Sequence, residues 1–150
     1  MFGCQNTPQK ATLYLDNVEI ANENVFISHD YYVRSCDSSF NAELPLTVVL
    51  KSFGAEIEWV DDYTANILYK DKKLVLDLAK VSIKEDGSAK NLLALSGGGR
   101  SPYRVLDKEL LLVYDVLVHF MREIGEDIRI VFDPKNATIN IITDVDVTNS

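Results

Sequence analysis

At 150 residues the chain has the length of one ordinary domain, or of two very small ones sharing a core. Its apolar content of 47% is enough for a real core, and no apolar run approaches the length needed to span a bilayer. With 23 acidic against 15 basic residues the net charge is −8, which argues against nucleic acid, whose phosphates demand a basic face, and against an anionic membrane surface.

Residues 1–10 read as a flexible N-terminal tail. Within it, Gly3-Cys4-Gln5-Asn6 has the form of the mature start of a bacterial lipoprotein: a cysteine after a small residue, then a polar tether. The apolar segment of an export signal does not precede it. Cys4 and Cys36 are too few for a disulfide framework or a zinc site, which leaves one bridge in an oxidising compartment or two free thiols.

Thr12 to Ile20 and Val25 to Arg34 read as strands, and Cys36 to Asn41 as a polar loop. Next come Leu46, Val49, Leu50 and Phe53, spaced to share one helical face. Pro45 suits the start of that helix and Gly54 its C-terminal cap. The period then changes to two. Ile57 and Trp59 share one strand face and Glu56 and Glu58 the other, before an Asp61-Asp62 turn and a return strand from Ala65 to Tyr69. A turn at Lys70-Asp71 leads to Leu74, Leu76 and Leu78 on an alternating strand. Val81 and Ile83 lie on another, Leu92 to Leu95 form a short apolar run, and residues 96–102 form a glycine-rich loop. Tyr103 to Val105 and Glu109 to Leu112 predict a hairpin. A second helix follows, with Val113, Val116, Leu117, Phe120, Met121 and Ile124 as its stripe and Gly125 as its stop. Ile128, Ile130 and Phe132 alternate, Asp133 to Asn136 turn, and Ile139 and Ile141 alternate again.

The order helix, glycine, strand, turn, strand thus occurs twice. Gly54 and Gly125 lie 71 positions apart, about half the chain, which predicts two fused copies of one small unit. Leu44-Pro45-Leu46 and Phe53-Gly54-Ala55-Glu56-Ile57-Glu58-Trp59 resemble the signature of the copper amine oxidase N-terminal-like domain. Pro102 to Asp107 and Glu109 to Gly125 resemble it in the second half, where Val116 replaces a proline and Ile130 the tryptophan. The likeness covers roughly Lys10 to Thr143. It implies a tandem accessory module of exported bacterial proteins, in the cell envelope, that holds neither the oxidase's copper nor its quinone.

The fold expected is α+β: two β-β-α-β-β repeats, residues 11–79 and 80–143, with antiparallel sheets each twisted around one helix and a C-terminal tail at 144–150. Gly54, Trp59, Gly125 and Ile130 are the structural positions. Trp59 reads as core because its counterpart Ile130 is aliphatic at the same strand parity.

No motif with a chemical mechanism stands out. His29 and His119 have no partners at metal-ligand spacing. Gly97-Gly98-Gly99-Arg100 lacks the strand–loop–helix context and the lysine of a phosphate-binding loop. No nucleophile elbow surrounds any serine, and Asp61-Asp62 and Glu85-Asp86 sit in turns, where carboxylates serve the backbone. No catalytic residue, metal or cofactor is therefore expected. Tyr31, Tyr32, Tyr63, Arg100 and Tyr103 are the candidate ligand or partner surface, since exposed aromatics commonly serve carbohydrate or protein recognition. Two functions fit: an envelope module recognising cell-wall glycan or a surface protein, or a freestanding intracellular protein that binds and occupies a partner protein.

Overall fold

The computed structural model describes residues 9–29, 40–87, 91–94 and 103–143. Among them are 14 strands and 2 helices, arranged in three separate sheets. The chain divides into two compact units, Met1–Leu44 with Leu112–Ser150, and Pro45–Leu111.

In the first unit, β1 (Gln9–Lys10) pairs with β4 (Phe26–His29), and β4 pairs antiparallel with β5 (Phe40–Pro45). Gln9 and Lys10, at the end of the expected tail, are thus sheet residues. The strand read from Thr12 to Ile20 is a hairpin of β2 (Thr12–Leu15) and β3 (Val18–Ala21). Asp16 and Asn17 turn it, with φ of 47° and 71°. Two successive positive φ values match the right-handed twist of a tight hairpin, and Asp and Asn tolerate them best after glycine. Helix α2 (Tyr114–Glu123) buries Leu117, Phe120 and Met121. It leads to β13 (Arg129–Asp133) and β14 (Thr138–Ile142), which pair antiparallel. The Tyr114 ring meets the Phe132 ring edge-on at 5.0 Å, tying the start of the helix to β13. Strand β14 then runs parallel to β2, with Ile139 beside Leu13, so strands from the two ends of the chain share the sheet β13-β14-β2-β3.

In the second unit, α1 (Leu46–Ser52) buries Leu46, Val49 and Leu50. A meander follows: β6 (Glu56–Trp59), β7 (Thr64–Tyr69), β8 (Lys72–Asp77), β9 (Ser82–Glu85) and β10 (Asn91–Ala94). These form one antiparallel sheet of order β10-β9-β8-β7-β6. Ala65, Ile67 and Tyr69 of β7 and Leu74 and Leu76 of β8 face inward and are buried. The strands β11 (Tyr103–Leu106) and β12 (Glu109–Val113) are hydrogen-bonded neighbours, joined at Asp107 and Lys108 with φ of 47° and 61°. All five residues of β12 are buried, as suits a near-continuous apolar run.

Both helices end alike. The Gly54 N–H donates to the Lys51 carbonyl and the Ala55 N–H to the Leu50 carbonyl; the Gly125 N–H donates to the Arg122 carbonyl and the Glu126 N–H to the Met121 carbonyl. These are paired Schellman caps, with φ of +98° at Gly54 and +97° at Gly125.

The expected α+β fold of two β-β-α-β-β repeats does not hold: the structure is mostly β, with three sheets rather than a sheet around each helix. The local order of helix, glycine cap and hairpin does occur twice. The sheets built on it differ. The hairpin after α1 continues into three more strands, whereas the hairpin after α2 takes β2 as a parallel neighbour. An unpaired strand edge is a template for a further strand, and the local order of helix, cap and hairpin does not set which strand fills it.

Candidate binding face

Strand parity positions the candidate site. Glu56 and Glu58 point away from the core on β6, while Ile57 and Trp59 are half-buried on its other face. The register places Glu56 beside Leu68 of β7, and Leu68 beside Lys73 of β8. The next row runs from Glu58 through Asn66 and Val75 to Lys84. Directly paired residues share a face, so these rows form the outer surface of the sheet. It is acidic on β6, apolar or neutral in the middle, and basic on β8 and β9. Glu56 and Lys73 are two strand spacings apart, about 10 Å.

A shallow concavity of about 550 Å³ lies on this surface, with Glu56, Glu58, Asn66, Leu68, Lys73 and Asp86 in its lining. Leu68, within the six-residue β7, is 41% exposed on this face. None of the lining residues is aromatic. No described strand pairs with the outer side of β6, which ends its sheet.

A hydrogen-bonded loop adjoins β6. The Asp61 carboxylate accepts the Tyr63 and Thr64 N–H groups, each at 2.8 Å, and the Val60 N–H donates to the Thr64 carbonyl at 2.9 Å. This leaves Val60 and Tyr63 about three-fifths exposed, at 60% and 62%. Lys108 lies 3.3 Å from Asp62, an exposed ion pair that contributes little stability.

The sequence candidates fall in different places. Tyr63 is exposed on that loop and Tyr103 is half-buried on β11. Tyr31, Tyr32 and Arg100 lie outside the described residues, as do Cys4, Cys36 and the glycine-rich loop. Trp59 and its counterpart Ile130 are both half-buried, so Trp59 is less enclosed than a core reading expects. His119 is exposed on α2, with its Nε2 3.8 Å from the Glu123 carboxylate. Among the described residues no group of three or more His, Cys, Asp or Glu side chains gathers to hold a metal ion. None of the described helices is long and apolar enough to cross a membrane.

Among the described residues one carboxylate is buried. Glu109, 6% exposed, opens β12. Its Oε2 accepts the Thr47 N–H at 3.0 Å and the Leu110 N–H at 3.1 Å, and its Oε1 lies 2.6 Å from the Thr47 hydroxyl. Desolvation raises its pKa, against the lowering effect of these hydrogen bonds and of Lys51. A raised pKa in a cleft would suggest acid–base chemistry. Here the carboxylate is spent on the fold. Pro45 at the helix N-cap has no side-chain acceptor, so Glu109 takes the buried Thr47 N–H of the first turn.

Sequence reasoning missed Glu109 and the outer sheet face. The signal for the first was an acid opening the apolar run Leu110 to Val113. The signal for the second was the parity that puts Leu68 on the same face as Glu56. Comparison of the chain with family models, with curated proteins and with solved structures returns no match.

Proposed function

We propose that this chain is a non-catalytic binding module that docks a partner protein on the outer face of the β6–β9 sheet. The observation that carries this reading is the concavity that includes Leu68, an exposed leucine flanked in register by Glu56 and Lys73, with Glu58, Asn66 and Asp86 also in the lining. Protein interfaces combine such an apolar centre with a charged rim. A glycan would favour an exposed aromatic platform, and this lining has none. The local likeness of the two helix caps is compatible with an accessory module of the copper amine oxidase N-terminal-like kind, but the binding reading rests on the sheet face alone.

The test is a photo-reactive amino acid placed at Leu68 and, as a control, at exposed Val18 in the other unit, with crosslinking in the native cell. A discrete protein adduct at Leu68 and none at Val18 is expected. Adducts at both positions alike, or none at Leu68, would overturn the assignment.

A further inference from the structure

Among the described residues no strand pairs with the outer edge of β6, and its exposed side chains are both carboxylates, Glu56 and Glu58. We infer that the partner docked on this face supplies an extended cationic segment that adds to the sheet alongside β6. This inference rests on the binding reading above and narrows it.

The outer side of an edge strand presents unpaired N–H and C=O groups at a fixed spacing, which an extended chain can complete. Specificity then comes from side chains, which alternate between faces with a period of two. An incoming strand would set every second residue beside Glu56 and Glu58 on the outer face. Opposite charges in directly paired positions stabilise, and like charges destabilise. Lysine or arginine two residues apart is therefore the matching pattern. The intervening residues would lie on the face of Ile57 and Trp59, where apolar side chains fit.

The same charges disfavour a second copy of this chain at this edge. A second copy of this chain pairing antiparallel through β6 would bring Glu56 and Glu58 against their own equivalents. The chain's net charge of −8 adds to that repulsion and favours approach of a cation. Exposed Val60 and Tyr63, held in place by the Asp61 carboxylate at the end of β6, extend the apolar contact beyond the strand.

The chain carries its own reporter, since Trp59 is its one tryptophan and lies in β6. The probe is a synthetic eight-residue peptide alternating lysine and valine. Its controls are the same peptide with glutamate for lysine, and the lysine–valine peptide N-methylated at alternate amides, which keeps the charge and removes the strand hydrogen bonds. Binding is read by Trp59 fluorescence and by amide NMR shifts over residues 56–59. The lysine–valine peptide should bind, more weakly as salt rises, and the other two should bind at least about tenfold more weakly. The double variant Glu56→Lys, Glu58→Lys should reverse the preference toward the glutamate peptide. Both positions are exposed, and an unchanged urea midpoint would show that the variant is folded.

If the N-methylated peptide binds as tightly as its parent, strand addition is overturned; a protein adduct at Leu68 would then leave the binding face standing. If the charge-reversed variant keeps the original preference, the role of Glu56 and Glu58 is overturned. If no peptide perturbs residues 56–59, the inference fails, and the Leu68 crosslink decides separately whether the binding reading fails with it.

Discussion

Thr47 and Glu109, 62 positions apart, form a two-point contact: both the backbone N–H and the hydroxyl of Thr47 meet the Glu109 carboxylate. This substitutes for a local helix cap. The residue before α1 is Pro45, which can offer no side-chain oxygen, so the acceptor arrives from β12. The arrangement tolerates protonation. A neutral Glu109 keeps Oε2 as acceptor for both N–H groups, while Oε1–H donates to the threonine hydroxyl.

That geometry sets the sign of a pH effect. The folded pKa of Glu109 is raised above its usual 4.5, with desolvation as the main cause. The folded state therefore binds the proton more tightly than the unfolded state. Its stabilising contribution is full below 4.5 and is lost as pH rises through the raised value. Glu109→Gln mimics the protonated form and should match or exceed wild-type stability at pH 7, with a flatter pH profile. Glu109→Ala strands the Thr47 N–H and should cost about 1–3 kcal/mol. Urea unfolding between pH 4 and pH 8 checks both, and a Glu109→Gln variant as unstable as Glu109→Ala at pH 7 would contradict this account.

Gly54 and Gly125 allow a cleaner measurement. A Cβ added at either meets nothing within 4 Å, so substitution carries only the backbone cost of φ near +98° and +97°. Gly54→Ala and Gly125→Ala should each destabilise by about 1 kcal/mol, and replacement by asparagine should cost less. Unequal losses in chemical denaturation would show that the two caps are not equivalent, and no loss at either would contradict the backbone cost.

These examples show where sequence reasoning reaches. Gly54 and Gly125 were legible because a helix stop is written within a few residues of the helix itself. So were the parity of Glu56 and Glu58 and the inward leucines of β8, because period two is local. Glu109 was hidden, since nothing near Thr47 announces an acceptor 62 positions away. The parallel pairing of β14 with β2 was hidden for the same reason: Ile139 and Leu13 carry no mark of each other. The repeat misled about the sheets because similar local order leaves the strand edges to be satisfied in different ways. The Asp16-Asn17 turn had a local signal, but the apolar residues around it read as one continuous strand.

Trp59 tests how much of the strand's inner face is packed. Half-buried beside Ala65 in the β6–β7 register, it has less to lose than an enclosed tryptophan. Trp59→Ala should cost about 2 kcal/mol, below the range for a fully buried aromatic. Glu58→Ala, on the exposed face, should change stability by about 0.5 kcal/mol or less. Parallel denaturation curves decide it, and a Trp59→Ala midpoint equal to wild type would place the ring outside the packed face.

Asp16 should respond to pH in the opposite direction from Glu109. Its carboxylate accepts the Thr143 N–H at 2.9 Å through Oδ1 and meets the Thr143 hydroxyl through Oδ2. The neighbouring Asn17 N–H donates to the Asn140 side chain at 3.1 Å, and the Asn140 amide donates back to Asn17 at 2.8 Å. Together these contacts fasten the β2–β3 turn to the end of β14, where the two strands run parallel. The hydrogen bonds from Thr143, side chain first and then backbone, lower the Asp16 pKa from its usual 3.8. Here the unfolded state binds the proton more tightly, so the contribution is present above 3.8 and is lost as pH falls through the depressed value. Because Asp16 is exposed, the effect is local and screened by solvent. The Thr143 amide proton should titrate with a midpoint below 3.8 in an NMR pH series, and Asp16→Ala should abolish that titration. A midpoint at or above 3.8, or a titration that survives Asp16→Ala, would show that Thr143 takes its partner elsewhere.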